Sequence, residues 1–219
     1  MVIPAKKKEN RLTRVVFTVL IGVSPLCQAD NAPNTIWLMN RGSHQVVLDE
    51  MVSQNNQLVK VNSILLWPGQ SAAMGFWPGQ SGFVAAENSS GQLQWNASRF
   101  EFYGGGDTNS VDVSYIDGRN ASITVDDGRG HKKGDLNPIA GSAPSVALSY
   151  DQAGWPTITG WYDGSTDAMR EGGAYIQSKI ACGSSYIHPT DDQNPDPNCN
   201  PMTEAQDPSK NYYVDFGDP

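Results

Sequence analysis

Short segments of alternating apolar and polar residues follow one another between residues 34 and 125, separated by turn residues at close, regular intervals. A period of two is typical of strands that bury one face. The rhythm, without helical patterns in between, predicts a mainly β protein built as an antiparallel sandwich or barrel. The first predicted strands cover residues 35–40, 45–49, 58–66, 71–76 and 82–86.

The pentapeptide WPGQS occurs twice, at residues 67–71 and 77–81. Proline followed by glycine is typical of a turn, so the two copies predict two similar hairpin corners. Two copies are too few for a repeat array. Trp67 and Trp77, together with Trp37, are interpreted as core or corner packing.

Three further short strands are predicted in residues 99–125, RFEFYGGGDTNSVDVSYIDGRNASITV. Because side chains alternate between the faces of a strand, Glu101 points away from Phe100 and Phe102. Asp112 likewise points away from its valine neighbours, and Asp117 falls at a strand end. If the glycine-rich loop folds these strands into an antiparallel pair, the three acids share one cleft. Such paired acids are what cleavage of a glycosidic bond requires.

The remainder of the chain predicts a less regular region. Residues 126–139 are interpreted as a loop, 145–150 as a strand, 166–180 as a helix capped by Ser165 or Thr166, and 212–216 as a closing strand beside the first. Gly172 and Gly173 weaken the helix pattern. We therefore predict one domain over residues 30–219, with a β core at 30–150 and 211–219. Residues 151–210 form a loop-rich, partly helical excursion.

Residues 1–29 have the pattern of a secretory signal peptide: a basic start, an apolar run and small residues for cleavage. Removing them takes away five of the 15 basic and one of the 23 acidic residues, which leaves a net charge near −12. Such a surface repels nucleic acid and anionic membranes. We expect a secreted protein, off the membrane after cleavage, with a neutral or cationic partner, and an uncharged polysaccharide fits this expectation.

Two cysteines, Cys182 and Cys199, remain after processing and are expected to form a structural disulfide in an oxidising compartment. A redox pair is disfavoured because the spacing is not C-x-x-C. Asp191, Asp192, Asn194 and Asp196 leave calcium open as an alternative, although the helix-loop-helix pattern is missing. The scattered His44, His131 and His188 do not suggest zinc. We predict no cofactor and no metal.

Several segments together resemble the thaumatin-like superfamily, which includes thaumatin-like proteins and the β-1,3-glucanases of glycoside hydrolase family 64. They are the opening strand with Asn40 and Arg41, the PGQS corner, Glu101 in an aromatic strand, the run VDVSYIDG at 111–118 and the closing YVDF at 213–216. The resemblance implies a β-sandwich with an acidic cleft that binds, and in some members hydrolyses, β-1,3-glucan.

The same resemblance assigns roles. Glu101 corresponds to the cleft glutamate, and Asp112 and Asp117 to the cleft aspartates. Glu101, among aromatic residues, is the expected catalytic acid, and Asp117 the expected base. Two features depart from the family: there are few cysteines, and no arginine stands near residues 82–86, where Arg99 could substitute from the adjacent strand. The expected substrate-binding residues are Asp112, Arg99, Tyr103, Trp161 and Tyr162.

The sequence leaves three alternative interpretations open. The acids could be solvated positions on the outer face of a sheet. The protein could be a non-enzymatic secreted binding module, or an effector that acts on a cell wall or on a secreted protein target. It could also inhibit another secreted hydrolase.

Overall fold

The protein is a mainly β sandwich. A computed structural model describes residues 34–105, 108–207 and 209–219, so the predicted signal peptide lies outside the described residues. The strands are β1 (Asn34–Asn40), β2 (Val46–Gln54), β3 (Gln57–Leu66), β4 (Ser71–Phe76), β5 (Ser81–Ala86), β6 (Arg99–Gly104), β7 (Asn109–Ser114), β8 (Gly118–Arg119), β9 (Ser122–Asp126), β10 (Lys132–Asp135), β11 (Leu148–Tyr150), β12 (Pro156–Thr159), β13 (Thr203–Asp207) and β14 (Asn211–Gly217).

Two large sheets make the sandwich. The five-stranded sheet has the order β10-β9-β14-β1-β4, and the six-stranded sheet has the order β13-β7-β6-β5-β2-β3. A small third sheet has the order β11-β12-β8. The closing strand β14 pairs with β1, as predicted, and the pairing is parallel. Apolar side chains from both large sheets form one core, among them Ile36, Leu38, Val214, Leu48, Phe100 and Val113.

The two WPGQS segments are corners, but not hairpins as predicted. The first carries the chain from β3 in the six-stranded sheet to β4 in the five-stranded sheet, and the second carries it back to β5. In both, the glutamine side-chain oxygen accepts a hydrogen bond from the backbone N–H of the tryptophan: Gln70 from Trp67 at 3.0 Å and Gln80 from Trp77 at 2.9 Å. The two segments therefore have the same structural role: each carries the chain from one large sheet to the other.

Three local predictions were wrong. The predicted loop 126–139 contains β10, which pairs with β9 although its sequence is polar, because an edge strand needs little apolar surface. The predicted strand 145–150 begins as a 3-10 helix at Ser145–Ala147. Trp37 is not in the core: it lies on the outer face of the five-stranded sheet.

The predicted helix is α1 (Asp167–Lys179), with Thr166 as its N-cap: the Thr166 side chain accepts a hydrogen bond from Met169 N at 3.2 Å. Its two glycines are contact positions. A β-carbon on Gly172 would collide with the Thr159 carbonyl oxygen of β12, and one on Gly173 would lie 2.9 Å from Trp161 Cβ. The glycines therefore allow the helix to lie directly against the strand.

Two strands within residues 151–210 join sheets: β12 pairs with β8, and β13 pairs with β7. The predicted disulfide between Cys182 and Cys199 is present, with a Cα to Cα distance of 4.7 Å. Next to it, Lys133 Nζ donates to the carbonyls of Gly183 at 2.8 Å and Asn200 at 2.7 Å. Burial lowers the pKa of Lys133. The segment between the cysteines is thus held to β10 at both ends.

One carboxyl lies on the core side of the six-stranded sheet. Glu50 stands opposite Val84 of the core and shares its face with Leu48 and Val52. Only 4% of the residue is exposed. Burial raises the pKa of Glu50 to about 7, against a side-chain hydrogen bond with Asn62 that lowers it. The core therefore contains an acid that titrates near neutral pH.

No helix in the three described ranges is both long enough and apolar enough to span a membrane.

Candidate acidic site

The predicted acidic strands are neighbours. β6 and β7 pair antiparallel, and the register sets Glu101 directly opposite Asp112. Phe100 and Val113 face the core from the same two strands, so the two acids lie on the outer face of the six-stranded sheet. Alternation along each strand, read from the sequence, correctly predicts this face.

Arg99 joins two of the acids. It lies two residues before Glu101 on the same face of β6, and its Nη1 is 3.8 Å from Glu101 Oε1. Its Nη2 donates to Asp117 Oδ2, in the turn before β8. The guanidinium also stacks over the Phe83 ring, 4.6 Å from the centroid. Arg99 therefore holds Asp117 beside Glu101, although one acid lies on β6 and the other in the turn before β8.

The three carboxyls titrate above their ordinary ranges. Burial is the largest cause for each. For Glu101, Arg99 lowers the pKa and the charge of Asp117 raises it; for Asp112, the charge of Glu101 raises it further. The Asp117 side chain touches the guanidinium and is 13% exposed, whereas that of Glu101 stands farther from it and is 39% exposed. The site can thus hold protonated and ionised carboxyls together.

Asp112 is the most deeply buried of the three. Its Oδ1 has no hydrogen-bond partner among the described atoms. Tyr186 covers this end of the site: its N–H donates to Val113 O at 2.8 Å, and its carbonyl accepts from Tyr115 N at 2.8 Å. Burial raises the pKa of the Tyr186 hydroxyl, and the charges of Asp112 and Glu101 are among the further causes.

Two exposed aromatic rings stand beside Asp117. Tyr162 N donates to Ile116 O at 2.7 Å, and the rings of Tyr162 and Trp95 meet edge to face with centroids 6.5 Å apart. The Trp95 carbonyl accepts from Arg99 Nη2 at 3.4 Å. Tyr162 has φ +44°, a strained conformation for a bulky residue. Its fixed, strained position next to the acids is typical of a functional site.

The other two aromatic residues predicted to bind substrate lie in different settings. Tyr103 is exposed on β6, two residues beyond Glu101. It lines a groove together with Glu101, Asp112, Phe83 and Met202, which we call the acidic groove. The groove has a volume of about 410 Å³. The ring of Trp161 instead packs edge to face on His188, at 4.7 Å, and against Gly173 of α1. This indicates that Trp161 supports the neighbouring Tyr162 by packing.

Trp95 and Tyr186 were missed by the sequence analysis. Tyr186 reaches β7 only because the disulfide-closed segment folds back onto the sheet. Trp95 lies in an irregular segment between β5 and β6 whose path has no periodic signal. The sequence shows a tryptophan four residues before Arg99, but the direction in which its side chain points depends on the turn between the two residues.

The described residues contain no group of three or more His, Cys, Asp or Glu side chains arranged to hold a metal ion. In the segment considered for calcium, Asp191 Oδ2 accepts hydrogen bonds from the N–H groups of Ile187 at 2.7 Å and His188 at 2.8 Å. This carboxylate oxygen shapes the turn.

Replacing Arg99 with methionine is expected to destabilise the protein by about 2 kcal/mol at pH 7, because it leaves Asp117 charged and poorly solvated. Methionine replaces the guanidinium over the Phe83 ring with an apolar side chain that can pack on the same ring. Without the guanidinium the pKa of Asp117 rises further, so Asp117 binds a proton as the pH falls and the loss shrinks at pH 4. Urea unfolding at both pH values measures this.

The double variant Arg99→Met with Asp117→Asn is the matched control for this change. It removes the unpaired charge of Asp117 and is expected to recover part of the lost stability at pH 7. An equal loss at pH 4 and pH 7, with no recovery in the double variant, would contradict the ion-pair account.

Comparison with known proteins gives little similarity. No protein-family model matches the sequence, and no curated protein matches it. Among solved structures, the chain is similar to the protein elicitor MoHrip2 from Magnaporthe oryzae, with a TM-score of 0.35 and 9% sequence identity. The match covers 57% of this chain and 89% of that chain. A likeness at this level assigns neither a family nor a function.

Proposed function

We propose that the protein is a secreted thaumatin-like protein that binds β-1,3-glucan in the groove around Glu101 and hydrolyses it. The observation that carries the proposal is the arrangement of three acids: Glu101 lies opposite Asp112, and Arg99 holds Asp117 beside Glu101. The resemblance of the segment 111–118 to the thaumatin-like superfamily supports β-1,3-glucan as the substrate class.

In this proposal Glu101 is the general acid. Its raised pKa keeps a proton available for the glycosidic oxygen, which leaves as the bond to the anomeric carbon breaks. Asp117 is the general base, because contact with Arg99 favours its ionised form over that of Glu101. It takes a proton from the water whose oxygen attacks the anomeric carbon. The resemblance to the glucanases implies inversion of configuration.

The remaining groups bind the sugar. Asp112 stands beside Glu101 and, when protonated, can donate a hydrogen bond to a sugar hydroxyl. Tyr103, Tyr162 and Trp95 offer rings at the edges of the site. The excess of acidic residues suits a neutral polymer better than an anionic one.

A second candidate is glucan binding without hydrolysis, as a binding module or effector on a cell wall. The direct contact between Arg99 and Asp117 favours it, since a guanidinium that holds a carboxylate also lowers its basicity. A protein target, or inhibition of another secreted hydrolase, remains the alternative if the groove binds no glucan.

Release of reducing ends from a linear β-1,3-glucan, measured beside binding of a short, soluble β-1,3-glucan oligosaccharide, separates these candidates. The proposal predicts both release and oligosaccharide binding by the mature protein. Binding without release would support the binding module. Neither release nor binding would contradict the glucan proposal and leave a protein target.

A further inference from the structure

The outer face of the five-stranded sheet presents two aromatic side chains next to each other. Trp37 of β1 is in register with Tyr213 of β14. Neighbouring strands are about 4.8 Å apart, so these side chains rise from adjacent points of one surface. They remain 45% and 49% exposed. This aromatic pair lies on the opposite side of the sandwich from the acidic groove, which is on the outer face of the other sheet.

Small residues and a turn leave the aromatic pair open. Trp37 has Ala73 as its partner on β4, and the next positions along β4 on this face are Ser71 and Gly75. On the other side, Gly128, at φ +71°, lies against the Tyr213 ring: an added β-carbon would be 3.2 Å from its Cε2. The surface around the pair forms a shallow groove of about 710 Å³.

Charged side chains at the edge of this groove balance one another. Arg41 pairs with Asp215 at 3.3 Å, and Lys132 of β10 stands in register with Asp126 of β9. All four line the groove. The formal charges therefore cancel here, although the whole chain carries −8. A charge-balanced edge around exposed rings favours a neutral ligand that has both apolar faces and hydroxyl groups.

A pyranose chain has this chemistry. The C–H groups of a sugar ring form an apolar face that can lie on an aromatic ring, while its hydroxyls exchange hydrogen bonds with charged and polar groups around it. A protein partner would instead need a well-packed apolar interface centre, and an anionic membrane would need uncompensated basic residues. The balanced charges favour the saccharide.

We propose that the aromatic pair Trp37 and Tyr213 forms a second saccharide-binding surface for a neutral, β-linked glucan chain. It is separate from the acidic groove and does not take part in the reaction proposed there. It would hold the protein on an insoluble polymer while the acidic groove on the opposite side remains accessible.

Retention on insoluble β-1,3-glucan and on cellulose tests this proposal. Trp37→Ala and Tyr213→Ala are each expected to weaken retention on at least one polymer at least tenfold in Kd. Trp67→Ala is the matched control, because Trp67 is 56% exposed and is not among the residues that line this groove. Unfolding midpoints establish that each variant is folded. Trp37→Ala and Tyr213→Ala are two independent tests of the same surface.

Reaction at the acidic groove provides a second measurement. Hydrolysis of a short, soluble β-1,3-glucan oligosaccharide, or its binding if no hydrolysis occurs, is expected to be unchanged in Trp37→Ala. Trp67→Ala is expected to match the wild type in both measurements. Four outcomes would overturn the second surface. They are no retention of the wild type on either polymer, unchanged retention in both aromatic variants, an equal loss in Trp67→Ala, or aromatic variants that lose binding to lipid vesicles or self-association while their glucan retention is unchanged.

Discussion

Replacing Glu101 with glutamine is expected to lower the rate of β-1,3-glucan hydrolysis by about 10²- to 10⁴-fold, the usual contribution of a general acid. Glutamine has nearly the same shape but cannot give a proton to the leaving oxygen. Reducing-end release at equal concentrations of folded protein measures the effect. Binding of the glucan is expected to change much less than the rate.

The same substitution is not expected to destabilise the protein. Burial and the charge of Asp117 both oppose ionisation of Glu101, so a neutral amide fits the site as the protonated acid does. Glu87→Gln is the matched control: Glu87 pairs with Lys60 at 3.1 Å, in a region separate from the acidic groove, and its replacement is expected to leave the rate unchanged. A Glu101→Gln variant with more than a tenth of the wild-type rate would contradict the assigned role.

Glu50→Gln is expected to stabilise the protein by about 3 kcal/mol at pH 8 and by little at pH 4. The unfolded chain loses the Glu50 proton near pH 4.5, whereas the folded protein keeps it until about pH 7. The wild type therefore loses stability as the pH rises through this window, and the full cost, about 1.4 kcal/mol per pKa unit, is present above it. Glutamine carries no charge and avoids that cost.

Urea unfolding of the wild type and Glu50→Gln at pH 4 and pH 8 measures this difference. Glu171→Gln is the control, because Glu171 is an exposed residue of α1 and its replacement is expected to have nearly the same small effect at both pH values. A Glu50→Gln variant that is no more stable than the wild type at pH 8 would show that the buried acid is solvated or paired when ionised.

Features with a local cause were predictable from the sequence. Alternation of apolar and polar residues is sufficient to place Glu101 and Asp112 on one face, and the glycine-rich loop is sufficient to pair their strands. The disulfide was predictable because only two cysteines follow the predicted signal peptide. The cap of α1 follows from Thr166 before a helical pattern. Each of these features depends either on residues that are close together in the sequence or on one pair of residues.

Features with a long-range cause were not predictable. The WPGQS segments look like hairpins until the sheet of each flanking strand is known. Gly172 and Gly173 weaken an isolated helix but permit contact with β12 in the folded protein. Trp37 has the local pattern of a core residue, and only the sheet order shows that its face of β1 is the outer one. Where both faces of a strand carry apolar residues, as in β1, the local pattern does not show which face a second layer will cover.

The central claim is that β-1,3-glucan occupies the acidic groove, and backbone amide NMR of Glu101→Gln with a linear β-1,3-glucan oligosaccharide tests it most directly. This variant binds without consuming the ligand. We predict saturable shifts for amides of β6 and β7 and for Asp117 and Tyr162 beside them. Saturation that leaves these signals unmoved, or shifts confined to β1 and β14, would contradict the claim.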